Sequence, residues 1–188
     1  MFSLLMPLLL AAFAGPATTP QPAKPAAAEP IIWSATRRLT AADFLARTDG
    51  RYPLSVAALT ASDIKAGAAC RDFVFSGSVK ATFDPNTSWI RNPQKLTEAL
   101  LRHEQLHFDI TEIYARRLRQ KLVVFKQTAD CNKLQPAFNN LTKGVYAEWG
   151  REESRYDQET GNGLNAAKQD YWERQVQIKL DQLKEFAE

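Results

Sequence analysis

The chain has 188 residues, 45% of them hydrophobic and 24% charged, with a formal net charge of +3. That length and composition suit one globular domain with a real core. The small, mixed charge and the lack of interleaved basic and aromatic residues exclude a nucleic-acid-binding protein.

Residues 4–13 form a short apolar run, and Ala12-Phe13-Ala14 is a small-x-small site before Gly15. The pattern predicts a signal peptide over residues 1–14. A retained membrane anchor is the competing reading, because no Lys or Arg precedes the run. The run is too short to cross a bilayer as a helix. No stable membrane span is therefore expected after signal removal, and the mature protein is expected to be periplasmic or secreted. Residues 15–30, rich in Pro and Ala, predict a disordered linker. The folded domain is expected to span 31–188.

Ile31-Ile32-Trp33 reads as a first strand. Residues 39–44 read as a short helical start with Thr40 as N-cap, and residues 56–64 as another strand. Over residues 70–83, Phe73, Phe75, Val79, Ala81 and Phe83 alternate with polar positions. That predicts a half-buried strand, or a hairpin turning at Gly77. Residues 93–125 read as one long helix, with Asn92 as N-cap and Pro93 at the first helical position. Leu96, Leu100, His103, His107, Ile110 and Tyr114 mark its inner stripe. Arg102, Gln105, Arg116, Arg119 and Gln120 are expected on its solvated side. Two more helices are predicted over 132–155 and 165–186, separated by Gly161-Asn162-Gly163. Strands first and helices after predict an α+β fold, with a small antiparallel sheet packed on a bundle of about three helices.

The two cysteines, Cys70 and Cys131, are an even count in an apparently exported chain, which favours a disulfide. The alternatives are two buried thiols or zinc ligands.

The run HEQLH, residues 103–107, holds both histidines of the chain. On a helix, residues four apart lie about 40° apart around the axis. His103 and His107 can therefore offer two nitrogens to one zinc ion, with Glu104 beside them as a general base toward water. A catalytic zinc takes three protein ligands, and with no third His the last must be an oxygen donor. Asp109 and Glu112 fall about 160° and 140° from His107 around the helix, so neither can join the same ion. Asp157 is the chosen third ligand, with Glu153, Glu159 and Asn162 as alternatives. Glu153 and Asp157 also form a Glu-x-x-x-Asp spacing, which in thermolysin-like enzymes supplies a ligand and a supporting carboxylate. Tyr156 is read as an oxyanion donor or as a buried structural residue.

The segment 103–116 resembles a bacterial family of unknown function whose members are predicted to be secreted, zinc-dependent, HExxH zincin-like proteases. The resemblance covers about residues 33–183. It implies a shared Cys70–Cys131 bond and peptidase chemistry on a peptide or protein substrate. The family has Gly where Leu106 stands here, and a His before Gly where Asn162 stands. The expectation is a secreted zinc metallopeptidase. The alternative is a non-catalytic envelope module that keeps the fold with weak or no metal binding, a reading that Leu106 and Asn162 favour.

Overall fold

A computed structural model describes residues 27–48 and 50–188. The signal-peptide expectation, and residues 15–26 of the linker expectation, lie outside the described residues. Ala28 exchanges hydrogen bonds with the Asn86 side chain.

The architecture is α+β. Five strands, β1 (Ile31–Ile32), β2 (Ala58–Leu59), β3 (Ser62–Arg71), β4 (Val74–Phe83) and β5 (Trp89–Ile90), precede three helices, α1 (Glu98–Thr128), α2 (Leu134–Thr160) and α3 (Ala166–Gln182). A three-stranded antiparallel sheet has the order β1-β4-β3, and β2 pairs with β5 in a second, two-stranded sheet. Helix α1 runs between the long hairpin and the other two helices.

The hairpin turns at Asp72-Phe73 rather than at Gly77, which is paired with Ala68 in mid-strand. Asp72 and Phe73 both have positive φ, 51° and 61°, as a two-residue type I′ turn requires. Phe73 is consequently 84% exposed, while Phe75, Val79, Ala81 and Phe83 are buried as their period-two spacing predicts. Gly77 has a packing reason. A Cβ there would come within 3.1 Å of Leu122 on α1 and of the Phe75 ring.

The long helix begins later than residue 93. Pro93–Lys95 is a single 3₁₀ turn, and Thr97 caps α1 by accepting a hydrogen bond from the Leu100 amide at 3.1 Å. The side of α1 expected to be solvated is largely buried. Gln105 and Arg116 are as inaccessible as the apolar stripe, because two other parts of the chain cover them. The N-terminal strap brings Trp33 Nε1 to Asp109 at 2.8 Å, and the Leu39 amide to Gln105 at 2.7 Å. At the far end, Glu112 accepts from Arg116 and Arg119, which also donate to the backbone carbonyls of Leu180, Val79 and Phe186. These bonds tie α1 to the strap, β4 and the C-terminal segment. Burial is permissible because each polar group has a partner.

Cys70 and Cys131 form a disulfide across 61 positions of sequence, joining the end of β3 to the turn after α1. No helix among the described residues is long and apolar enough to cross a membrane.

Closing a loop of that size removes chain entropy worth up to about 4 kcal/mol from the unfolded state. Replacing both cysteines with Ser is therefore expected to lower unfolding stability by about 2–4 kcal/mol, read as a reduced urea midpoint.

Candidate metal centre

The site starts in the second turn of α1, where HEQLH follows the Thr97 cap. His103, Glu104 and His107 are held on the side that meets the end of α2. Helix α2 stops at Gly161, in a left-handed conformation (φ 58°). The Asn162 amide donates to the Asp157 carbonyl at 2.9 Å, and the Gly161 amide to that of Gln158 at 3.4 Å, the pairing of a Schellman C-cap. This cap fixes the last turn of α2, and with it Asp157, against α1.

His103, His107 and Asp157 form the one group among the described residues that could hold a metal ion. Their facing atoms make a near-equilateral triangle. Asp157 Oδ1 lies 3.2 Å from His103 Nε2 and 3.0 Å from His107 Nε2, and the two Nε2 atoms are 3.2 Å apart. Ligand atoms about 2.0–2.1 Å from a shared zinc in tetrahedral geometry would be about 3.3 Å apart. Asp157 Oδ1 is also buried and makes no hydrogen bond, despite two ring nitrogens beside it. A buried carboxylate oxygen without a hydrogen bond is costly, and a shared cation would satisfy it. The donor set, two imidazoles and a carboxylate, is one that zinc accepts. The residues present fit the ion.

Each imidazole is gripped from behind. His107 Nδ1 makes a very short contact with Glu153 Oε2. Glu153 in turn accepts from Trp149 Nε1 at 2.8 Å. His103 Nδ1 faces Gln169 Oε1 at 3.3 Å. Tyr156 packs against both rings, stacked on His103 at 4.7 Å and edge-on to His107 at 4.8 Å. Its hydroxyl is turned inward, donating to Gln169 Oε1 at 2.8 Å and to the His103 carbonyl at 3.2 Å. Tyr156 is therefore a packing residue and no oxyanion donor. Burial raises its pKa far above the ordinary phenol value.

Electrostatics follow from this packing. Burial alone would pull the His107 pKa down, but the Asp157 and Glu153 carboxylates at its two nitrogens, and the nearby Glu104, lift it to about 10. Burial likewise opposes ionisation of Asp157, yet the His103 and His107 rings hold its carboxyl well below the usual range.

Glu104 Oε2 accepts from Thr60 Oγ1 at 2.7 Å. Thr60 follows β2, so the link from β2 to β3 steers the carboxylate into the cleft over the triangle. That cleft measures about 680 Å³. His103, Glu104, His107, Glu153 and Asp157 line one part of it. Residues 55–60, Leu100 and Leu164 line much of the rest.

Of the alternative third ligands, Glu153 holds His107 from behind, Glu159 accepts from Trp172 Nε1, and Asn162 sits on the cleft rim. Leu106 is packed into the hydrophobic core and does not reach the cleft. Reading the sequence alone misses Thr60, Gly163 and Gln169. Only Gln169 leaves a signal there, as a polar position on the apolar stripe of Trp172, Val176 and Leu180.

Fold and site together define a class: an α+β domain whose central helix presents a two-histidine, one-carboxylate cluster with a glutamate beside it. The chain belongs to a family described as bacterial proteins of unknown function (DUF922), which matches residues 57–163, more than half its length and every member of the cluster. No curated protein and no solved structure matches.

Two outcomes are expected. Gly163 has φ 81°, and a Cβ there would lie 2.9 Å from His103 Cγ, whereas Gly161 is left-handed with open space around it. Gly163→Ala should cost about 1–3 kcal/mol in chemical denaturation, and Gly161→Asn much less. The second concerns pH in chelator-treated protein. The raised His107 pKa contributes stability that is full below its unfolded value of about 6.5 and lost as pH climbs through about 10. The depressed Asp157 pKa contributes stability present above about pH 4 and lost on acidification. Metal-free Tm should therefore fall between about pH 6.5 and 10, as scanning fluorimetry would read.

Proposed function

We propose that the protein is a secreted or periplasmic zinc-dependent metallopeptidase that hydrolyses peptide bonds. The observation that carries this reading is the triangle of His103, His107 and Asp157 with Glu104 on the same cleft. In it, His103, His107 and Asp157 would hold the ion. A zinc ion bound there would supply Lewis-acid polarisation and lower the pKa of water to about 7. Glu104 takes the proton of the attacking water and returns it to the leaving amine. Thr60 anchors one carboxylate oxygen of Glu104, leaving the other for this transfer. The supporting carboxylate Glu153 orients His107 and keeps its Nδ1 protonated.

The cleft favours an internal peptide bond. Among the described residues that line it there is no Lys or Arg to pair with a terminal carboxylate. Val56, Leu59, Leu100 and Leu164 offer apolar surface beside the polar floor. The disulfide agrees with an oxidising compartment. The two features that favoured a non-catalytic module carry less weight in the folded chain. Leu106 is a core residue, and the donor triangle closes without Asn162.

The test is metal content and hydrolysis of an unstructured protein such as casein, on the mature chain. One zinc per chain and measurable turnover are expected. Glu104→Gln should keep the metal and lose about 10²- to 10⁴-fold in rate, while His103→Ala, His107→Ala and Asp157→Ala should lose the metal. Failure to bind zinc at micromolar concentration would instead favour the non-catalytic envelope module. A native protein that carries iron, which also suits this donor set, would redirect the chemistry away from hydrolysis.

A further inference from the structure

A neutral imidazole carries one ring proton. Whether that proton sits on Nδ1 or Nε2 decides whether His103 can offer its Nε2 lone pair to an ion. An ion pair on the protein surface bears on that choice. Arg102 on α1 grips Glu173 on α3 with two bonds, Nε to Oε1 at 2.9 Å and Nη2 to Oε2 at 2.6 Å. A carboxylate only accepts. Glu173 Oε1 therefore draws the amide nitrogen of Gln169, at 3.1 Å. With its nitrogen committed, Gln169 must turn Oε1 the other way, where it accepts from Tyr156 and faces His103 Nδ1. Gln169 is 4% exposed, so water cannot substitute for these partners. An amide oxygen has no proton to give. On the other side of the ring lies Asp157 Oδ1, also an acceptor only, 3.2 Å from His103 Nε2 but nearer to His107 Nε2 at 3.0 Å. With His107 the nearer donor to that oxygen, the proton of His103 belongs on Nδ1, and Nε2 keeps its lone pair.

We propose that Gln169 and Glu173 are positioning residues, and that the Arg102–Glu173–Gln169 relay sets the tautomer of His103 and so readies it as a ligand. The effect on metal affinity rests on the metal-site reading above, whereas the tautomer does not. His107 gets equivalent support from Glu153, a carboxylate that accepts whichever way it turns. His103 has a neutral amide instead, which supports it in only one of two orientations. Glu173 enforces the right one. Both relay residues on α3 lie beyond the stretch 57–163 shared with the family, so the C-terminal helix completes the site from outside it.

The chain has only two histidines, which makes the test direct. Long-range ¹H–¹⁵N correlation spectra of the metal-free protein, taken where the His103 ring is neutral, report its tautomer. Zinc affinity comes from competition with a chromogenic chelator. Wild type should show His103 protonated on Nδ1. Glu173→Gln, a surface change, lets the Gln169 amide turn over. It should move His103 toward the Nε2-protonated form and weaken zinc binding about 10- to 100-fold. Gln169→Leu should weaken it similarly. Asp170→Asn removes the other acceptor of Arg102, at 2.9 Å, without touching Gln169, and should change neither readout. A wild-type His103 protonated on Nε2 overturns the proposal, as does a tautomer unmoved by Glu173→Gln. If the tautomer shifts as expected in a protein that binds no zinc, the relay stands and the metal reading falls. If zinc binds tightly while the tautomer stays unmoved, the relay falls and the metal reading stands.

Discussion

Burial of α1 on nearly every side is the constraint on which the rest of the structure depends. A helix usually leaves a polar face to water. Between His103 and Arg116 this one leaves almost none, although the segment carries histidine, glutamate, glutamine, aspartate and arginine. An unpaired polar group there would cost about 1–3 kcal/mol, more if charged, so other elements must bring partners. The strap serves Gln105 and Asp109, and β4 with the C-terminal segment serves Arg116 and Arg119. Helices α2 and α3 serve the histidines. Each polar side chain of α1 thereby becomes a fastening point between two parts of the fold.

The candidate site follows the same rule with one exception. Among the described residues, every buried side-chain polar atom around the two histidines has a hydrogen-bonding partner apart from Asp157 Oδ1. A buried oxygen left without a bond is one that a cation or an ordered water would satisfy. The surrounding parts are stiff. The Schellman cap fixes the α2 terminus, Tyr156 packs against both rings, and Gly163 closes against His103 with no room for a side chain. Such packing fixes the three facing donor atoms of His103, His107 and Asp157 relative to one another.

Much of this was legible in the chain. Period-two spacing marked β4, spacings of three and four marked the inner stripe of α1, and His103 and His107 fall on one face because a helix turns once in about 3.6 residues. The hairpin turn was hidden because its residues, Asp72 and Phe73, lack the glycine that a type I′ turn usually shows. Gly77, which looks like a turn, is there to admit Leu122. The burial of Gln105 and Arg116 was invisible for a related reason. Their partners Leu39 and Leu180 lie 66 and 64 positions away in sequence, and helical spacing says nothing about what covers a face.

The sequence by itself determined the local quantities: helix periodicity, the angular relation of His103, Glu104 and His107, and the even cysteine pair. These depend on neighbours within one turn or on composition. Only the tertiary structure decided the rest. Asp157, rather than Glu153, Glu159 or Asn162, meets both imidazoles because the α2 cap ends that helix against α1. Gln169 sits behind His103 because α3 packs back across the same helix. Which oxygen reaches a shared point depends on long-range packing of whole helices, and no local propensity encodes that.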